Sequence, residues 1–406
     1  MADDSLNTAL AAATCVLLSG SMPALAADES NRWSFDSALM YYGESDSRVK
    51  DASATVAARR DFGDERSLGV TVTADTLTGA SPSGAIALDR PQTFTSPSGR
   101  DVYSTKTGDI PLDDTFHDTR FALNAGWTQP FSRLYKLDVG LGFSTEYDYT
   151  HLGANVGVAR DFNKRNTTVS AGVAWSKDKI DPEGGAPVPL SQMADVGDDA
   201  NKRGSDDKDV LDVLVGFTQV LNRSTVLRVN YSYSKWSGYL NDPYKILSVV
   251  DPTTGDTLAR SPLGQGPTGV YLYENRPDNR TKQSVYAEMK HAFGSPVLSL
   301  SYRFMTDDWE IDSHTVEARL RWPIRETSFI EPQLRYYTQS EAEFYRSSLA
   351  AGQPLPKFAS SDFRLGNFDG TTVGLKFGHR LAGGNEWSVR LEYYQQSGHV
   401  PSDQLI

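Results

Sequence analysis

Apolar and polar residues alternate over long stretches of this chain. In residues 298–322 nearly every second residue is apolar, and the positions between them include Arg303, Glu317, Arg319 and Arg321. A period of two places successive side chains on opposite faces of a β-strand. The pattern predicts strands with one apolar and one polar face. Similar runs recur at residues 135–144, 227–234, 330–337 and 387–394.

The number and length of these runs indicate a membrane barrel. We count about fifteen strands of roughly ten to fourteen residues, about twice the usual strand length in soluble proteins. Tilted strands of about 9–11 residues are long enough to cross a bilayer. The pattern predicts an all-β fold, a transmembrane antiparallel up-and-down β-barrel. The predicted strands begin near residues 33, 48, 66, 117, 133, 148, 167, 209, 225, 280, 296, 313, 328, 370 and 386.

The connections between strands give an independent indication. Every even-numbered connection is short, and the long segments fall only on odd-numbered ones, as in outer-membrane barrels with short periplasmic turns and long extracellular loops. Aromatic residues at or near the short turns predict a periplasmic-side girdle. The long segments are 78–115, 179–208, 239–278 and 341–368, and the girdle residues are Phe62, Phe131, Phe162, Phe293 and Trp322.

Two further expectations concern the ends of the chain. Bacterial single-chain barrels have even strand numbers, so we expect about sixteen strands, with the last missing after the fifteenth; the alternative is a miscount near residues 48–60. An apolar segment followed by Ala24-Leu25-Ala26 predicts a signal peptide over residues 1–26 and a barrel over 27–406. Alternatives are a buried N-terminal helix or a lipid anchor at Cys15. Since Cys15 is the chain's only cysteine, the mature chain would hold no disulfide and no c-type haem, and we expect no cofactor.

Composition narrows the class of partner. The chain of 406 residues has a net charge of −12, and no run of about 18 apolar residues occurs after residue 26. A helical membrane span is excluded, and the acidic balance argues against nucleic acid. We expect a location in the outer membrane of a Gram-negative bacterium, with lipid as a partner and no fixed expectation for the oligomeric state.

Charged residues on the polar faces are the main candidate site. By the alternation they point into the barrel lumen, where neighbouring strands bring opposite charges together. They form either the wall of a pore that selects solutes or a salt-bridge network that only fills the interior. This predicted charged wall consists of Arg228, Glu288, Lys290, Arg303, Glu317, Arg319, Arg321, Glu331, Arg335, Lys376, Arg390 and Glu392, with Lys136 on an earlier strand.

Other candidates are weaker. An aspartate-rich segment offers oxygens to a hard cation, but its spacing differs from an EF-hand and Lys202 interrupts it, so a solvated loop is the favoured interpretation. Scattered histidines form no metal motif. Ser313 and His314 are adjacent on a strand and so point to opposite faces; His314 shares the register of apolar Val316. We therefore predict neither a metal site nor an enzyme. The aspartates are Asp195, Asp198, Asp199, Asp206, Asp207 and Asp209.

The segments GYLNDPYK (238–245) and ENRPDNRTK (274–282), with the long loop between them, combine aromatic and turn residues. Two interpretations stay open. The loop either folds into the lumen or forms a binding surface, as long loops often do, or its tyrosines mark the outer membrane interface. These tyrosines are Tyr239, Tyr244, Tyr271 and Tyr273.

Several segments of the second half resemble one bacterial family, catalogued as domain of unknown function 3570. They are YSYSKWSGYLNDPYK (231–245), ENRPDNRTK (274–282), DDWEIDSHTVE (307–317), PQLRYYTQSEAEFY (332–345) and SSDFRL (360–365). The first half resembles the family more loosely. The resemblance implies an outer-membrane barrel encoded beside a small lipoprotein, a thioredoxin-like protein and a flavin-attaching transferase. It implies no catalytic residue.

Two functions are therefore expected. The first is a porin-like channel for small hydrophilic solutes. The second is a non-conducting scaffold that organises a lipoprotein and periplasmic redox partners, a hypothesis that comes from the resemblance alone. In the second case the redox chemistry belongs to the partners, because the mature chain would contain no cysteine.

Overall fold

The computed structural model describes residues 33–45, 48–79, 82–113, 117–198 and 201–399. The predicted signal peptide and the expected sixteenth strand lie outside these residues. Within them, no helix is long and apolar enough to cross a membrane. The strands are β1 (Trp33–Gly43), β2 (Val49–Asp61), β3 (Ser67–Gly79), β4 (Gln92–Thr95), β5 (Val102–Thr105), β6 (His117–Ser132), β7 (Tyr135–Thr145), β8 (Tyr149–Phe162), β9 (Thr167–Ile180), β10 (Ala186–Pro187), β11 (Lys202–Arg203), β12 (Asp206–Asn222), β13 (Thr225–Gly238), β14 (Ile246–Val250), β15 (Tyr271–Tyr273), β16 (Asn279–Ala292), β17 (Val297–Asp307), β18 (Asp312–Arg325), β19 (Ser328–Gln339), β20 (Leu349–Ala350), β21 (Asn367–Arg380) and β22 (Glu386–His399); two 3₁₀ turns span Asn163–Arg165 and Phe363–Leu365.

Fifteen long strands form one antiparallel sheet, which confirms the all-β prediction. Their order follows the chain: β1-β2-β3-β6-β7-β8-β9-β12-β13-β16-β17-β18-β19-β21-β22. Each strand pairs with its sequence neighbours, as an up-and-down topology requires. Arg48, in the connection between β1 and β2, lies 5.9 Å from the centroid of the Phe363 ring, in the long connection between β19 and β21. Connections from the two ends of the strand order therefore meet.

The two ends of this sheet differ. At the turn end, seven short connections join successive strands, from residues 62–66 to residues 381–385. At the loop end lie all four long connections, as the sequence predicted, together with the short segments 44–48, 146–148 and 308–311.

The two faces of the sheet also differ. The apolar face carries exposed Leu300, Tyr302, Val316 and Leu391. Side chains on the polar face are mostly less exposed, as expected for the concave side of a curled sheet. This alternation follows directly from the period-two pattern of the sequence.

The four long connections fold together into one structure, which we call the cap. It comprises the described residues 82–113, 181–198, 201–205, 239–278 and 340–366. Small sheets form inside it: β4 with β5, β10 with β11, and β15-β14-β20, in which β14 and β20 are parallel. The cap leaves the sheet after its third, seventh, ninth and thirteenth strands. Connections that start so far apart and meet in one fold must cross the loop end.

The hydrophobic core of the molecule lies mainly in the cap. Three of the four connections contribute to a cluster around Phe94, which is fully buried against Tyr271 with ring centroids 4.7 Å apart. A second cluster joins Leu247 to Leu349. Gly84 permits the close approach, because its φ is +96° and an added Cβ would lie 2.1 Å from Ser361 Oγ. The members of the first cluster are Ala85, Phe94, Met193, Ile246, Tyr271 and Tyr273.

Candidate functional site

The structure brings the predicted charged wall together on one face. All twelve residues lie on the polar face of the seven strands from β13 to β22, and the register aligns them in rows across the sheet. Neighbouring rows hold Arg303 and Arg319. One complete row consists of Arg228, Glu288, Ser301, Glu317, Arg335, Thr372 and Tyr394.

Ion pairs connect many of these side chains, yet water still reaches them. The exposed fractions are 54% for Lys290 and 43% for both Arg319 and Arg321. We call this turn-end half of the polar face, on strands β13 to β22, the vestibule. The pairs are Arg228–Glu288 at 3.8 Å, Lys290–Glu288 at 3.5 Å, Arg390–Glu331 and Arg390–Glu392 at 3.2 Å, Arg321–Glu386 at 3.7 Å, and Arg319–Glu317.

The loop-end half of the same face is packed. Lys208 Nζ lies 3.0 Å from Asp178 Oδ2 and donates to the Tyr149 hydroxyl at 3.0 Å. The Tyr149 hydroxyl donates to Asp178 at 2.5 Å, and His151 Nδ1 lies 2.6 Å from the other oxygen. The side chains of Lys208 and Asp178 are only 5% and 3% exposed. Buried charges with this many partners form a rigid network, not a solvated passage.

A second packed group lies beside it. The Arg280 guanidinium is 2.6 Å from Asp307 Oδ2 and 4.2 Å from the ring of Trp309. Lys282 Nζ is 4.1 Å from the ring of Trp236, whose indole is buried. These cation–aromatic contacts join the end of the wall to the hydrophobic cluster of Trp236, Trp309 and Phe344.

A network of buried charges holds the cap together. The Arg276 guanidinium lies 2.7 Å from both Glu274 and Asp362. The Arg364 guanidinium lies 2.5 Å from Asp362 and 2.6 Å from Asp242. Asp362 is completely buried. These residues come from two long connections, and the buried Lys245 extends the network to a third by donating to Pro82 O at 2.6 Å. Sequence reasoning missed the network, because ENRPDNR and SSDFR look like ordinary polar loop segments.

Burial and charge shift the pKa values in the cap. Burial raises the pKa of Glu274 to about 7 against the effect of Arg276, with Asp242 and Asp362 adding to the rise. Burial also acts on Asp362, but Arg364, Lys245 and Arg276 outweigh it and hold the pKa well below its ordinary value. Burial lowers the pKa of Lys245. One carboxyl group of the network therefore titrates near neutral pH.

Three carboxylates that the sequence did not single out meet at the loop end. Ligand oxygens of Asp118, Glu146 and Asp148 lie within 4.8 Å of one another. The Tyr244 hydroxyl donates to Asp148. Burial, followed by the charge of Asp118, raises the pKa of Glu146 to about 7. A group that retains its proton near neutrality is a poor cation ligand.

The described aspartates of the aspartate-rich segment do not come together into one cluster. Asp195 pairs with Arg260 at 2.8 Å, and Asp207 pairs with Lys177 at 3.2 Å. The segment was also expected to be a loop up to residue 209, but Asp206 begins strand β12, so Asp206 and Asp207 point to opposite faces. Asp198 has its own interaction partner, and Asp199 lies outside the described residues. Asp209 is on the strand with Asp207.

The tyrosines of the third long connection do not mark a membrane interface. Tyr239, Tyr271 and Tyr273 are buried in the cap, and Tyr244 binds Asp148. The interface interpretation was wrong because these rings pack against the other connections. His314, in contrast, lies on the apolar face, where its Nδ1 is 2.8 Å from the Tyr302 hydroxyl, while Ser313 is buried on the other face.

Aromatic residues cluster at the turn end, where the girdle was predicted. Trp322 and Phe293 are exposed, and Phe62 packs on Trp127 at 5.4 Å. The repeated Arg-Asp-Phe tripeptides adopt the same arrangement: Arg60 lies 4.8 Å from the Phe62 ring, and Arg160 lies 4.5 Å from the Phe162 ring. Phe131 stacks on Tyr135 at 5.4 Å. Trp33, Trp127 and Trp387 belong to the same end, although the sequence reasoning missed them.

The first half of the sheet presents a different polar face. The residues at its central positions are small and mostly uncharged. Side chains there lie against the sheet; the amide of Asn155, for example, covers Gly140. This small-residue wall was also missed, although its glycines alternate visibly in the sequence. Its members are Gly126, Gly140, Gly142, Gly153, Gly157, Gly172, Ala174 and Gly216.

Solved structures with a related chain path are bacterial receptors. The ferric enterobactin receptor of Pseudomonas aeruginosa has 9% identity and a TM-score of 0.45, with 92% of this chain and 54% of the receptor covered. The ferric-catecholate import receptor Fiu of E. coli has 11% identity and a TM-score of 0.45, covering 93% and 62%. The siderophore receptor PirA of Pseudomonas aeruginosa has 10% identity and a TM-score of 0.40, with 91% of this chain and 56% of the receptor covered. The chain thus spans little more than half the length of these receptors.

Sequence comparison gives the family. No curated protein sequence matches the chain. The family model described as "Protein of unknown function (DUF3570)" matches residues 7–404, nearly all of the 406 residues. The resemblance carried by the tyrosine-rich and acidic motifs of the second half therefore extends over the whole sheet and its cap. The chain belongs to the DUF3570 family.

Proposed function

We propose that this chain is an outer-membrane β-barrel whose apolar face contacts lipid and whose polar face encloses a lumen. The long, alternating strands and the aromatic residues at the turn end support this proposal. The turn end then faces the periplasm, and the cap faces the outside.

Within this barrel we propose a porin-like channel for small hydrophilic solutes, closed at the outside by the cap. The observation that carries the proposal is the exposure of charged side chains in the vestibule, since a filled lumen would bury them. Passage would require the cap to move. The buried charges of Asp362, Arg276 and Arg364 hold the cap in place, so they set how often the channel opens.

Conductance tests this function. The full chain would be folded into a planar lipid bilayer and compared with two variants. Asp362→Ala removes the buried carboxylate shared by Arg276 and Arg364, and Asp256→Ala removes an exposed cap carboxylate 3.7 Å from Arg90. We expect rare openings from the complete chain and from Asp256→Ala, and frequent large ohmic steps from Asp362→Ala. Migration that differs between boiled and unboiled samples would verify that each barrel is folded. Silence from all three folded barrels would contradict a channel.

The packed loop end favours a second candidate. A barrel whose outer half is permanently sealed would act as a scaffold, with its open vestibule presented to periplasmic proteins. A small lipoprotein and periplasmic redox proteins are the partners that the family resemblance implies. Cross-linking of the tagged full chain in native outer membranes would support this candidate if such proteins were recovered and if conductance were absent.

A further inference from the structure

The vestibule has an excess of positive charge. Of the twelve residues of the charged wall, eight are Lys or Arg and four are Glu, although the whole chain has a net charge of −12. Most of the cations have a carboxylate partner within 4.0 Å. Within the described part of the chain, Arg303, Arg335 and Lys376 do not. Lys376 is half-buried, with its Nζ 5.8 Å from the centroid of the Phe329 ring. Arg303 and Arg335 are exposed.

The register explains why Arg335 has no partner. Glu317 lies directly across from it on β18, but the Glu317 carboxylate is committed to Arg319 on its own strand. On the other side Arg335 faces Thr372, and beyond it Tyr394. No competing carboxylate is therefore available to the Arg335 guanidinium.

Arg303 is held in place without being neutralised. It lies directly across from Tyr286, with the guanidinium 5.5 Å from the ring centroid. Such a contact orients a guanidinium and leaves its N–H donors free. Ser301, a short side chain, is the neighbour of Arg303 toward the turn end on the same face.

The two guanidinium groups belong to one region. Their strands, β17 and β19, are separated only by β18, and their rows are adjacent, which places the two backbones ~12 Å apart. Long side chains that both point inward can approach further, and two positive charges at such a separation repel each other. In the proposed barrel, the small-residue wall lies on the opposite side of the lumen from β17 and β19.

We propose that Arg303 and Arg335 form a binding site for a small oxyanion, a carboxylate or a phosphate group. Two guanidinium forks can donate paired hydrogen bonds to such a group and relieve their mutual repulsion. This site rests on the proposed channel function and names the class of solute, small anions, that would enter the vestibule. Tyr286 and Tyr394 flank the site.

Isothermal titration calorimetry on the detergent-folded complete chain tests the site without requiring conduction. Inorganic phosphate and succinate would be titrated at low ionic strength into the wild type, Arg335→Gln, Arg303→Gln/Arg335→Gln and the control Lys290→Gln. The control removes one cation of the same wall that lies beside Glu288. We expect Arg335→Gln to weaken binding on the order of tenfold, the double variant to abolish it, and the control to change it little.

Preference for one probe would identify the chemical class of the solute. Equal binding by the double variant, or no binding of either probe to the wild type, would overturn the site. Anion binding by a barrel that never conducts would leave the site standing and contradict the channel, so the two failures are distinguishable.

Discussion

The loop end and the turn end of the sheet use the same kinds of residue in opposite ways. At the loop end Lys208, Arg280 and Asp362 are buried, and each charge has several partners. At the turn end Lys290, Arg319 and Arg321 reach water while making one ion pair each. The alternation along the strands is the same in both halves. The difference comes from the cap, which covers one end and converts surface charges into a packed interior.

The largest expected difference between the two ends concerns carboxylate removal. Asp362→Ala removes the fully buried carboxylate that Arg276 and Arg364 share. Each guanidinium then keeps one carboxylate partner, Glu274 or Asp242, and we expect a cost of about 3–5 kcal/mol to the cap from the broken buried pairs. Glu392→Ala removes a vestibule carboxylate that is more than two fifths exposed, and we expect less than ~0.5 kcal/mol after solvent screening. Hydrogen exchange of cap peptides measures the first value, and urea unfolding in lipid vesicles measures the second. Equal effects would contradict the contrast between the two ends.

Two glycine substitutions, one at each end of the sheet, test how tightly the two ends are packed. Gly84→Ala introduces a Cβ 2.7 Å from the carbonyl oxygen of Ile246 at a φ of +96°, which we expect to destabilise the cap by about 2–4 kcal/mol. Gly384→Ala, in the last turn, has a φ of +86° but open space around it. There only the backbone strain of about 1–2 kcal/mol applies. Protease sensitivity of the cap, compared with the unfolding of the barrel, separates the two effects.

The smallest expected effect is a pH dependence confined to the loop end. The folded loop end raises the pKa of Glu274, in the cap, and of Glu146, in the short connection between β7 and β8, from 4.5 to about 7, so it binds their protons more tightly than the unfolded chain does. Its stability is therefore greatest near pH 5 and falls as pH rises through about 7, by on the order of 1–3 kcal/mol. Below about pH 4 the carboxyl groups of Asp242 and Asp362 become protonated in the unfolded chain, whereas in the folded cap nearby cations keep them ionised. Stability therefore falls again as the pH decreases further.

Hydrogen exchange of the cap between about pH 5 and pH 8 measures this dependence. Arg276, Asp242 and Asp362 face Glu274, while Asp118, Arg120 and Asp148 face Glu146. Replacement of both glutamates by glutamine should flatten the profile, whereas the exchange of the turn-end strands should not change. A slope that persists in the double variant would show that other groups cause it.

The fifteen-stranded sheet could be predicted from the sequence because its two faces lie in different surroundings. Alternation located the starts of all fifteen strands to within about three residues; the largest errors were at Asp206 and Asn367, where long connections lead into strands. The same alternation placed the charged wall on one face. Which cations lack a partner depends on register: Glu317 could have paired with Arg335, and only the structure assigns it to Arg319.

The cap could not be predicted in the same way. Its parallel pairing of β14 with β20 joins residues about a hundred positions apart, and no local pattern encodes such a contact. Its buried charges resemble solvated loop residues until the other connections cover them. Composition therefore identified the long loops as places of interest without indicating that they fold together.

Side-specific thiol labelling tests the central claim most directly. In a Cys15→Ser background, single cysteines would replace Ser301 in the vestibule, buried Ser234 in the loop-end half, and exposed Ser261 in the cap, and cells would receive a membrane-impermeant maleimide. We predict that intact cells label only Ser261→Cys, and that permeabilising the outer membrane adds Ser301→Cys but not Ser234→Cys. Labelling of Ser301→Cys in intact cells, or its protection after permeabilisation, would contradict a lumen that is closed at the cap and open at the turn end.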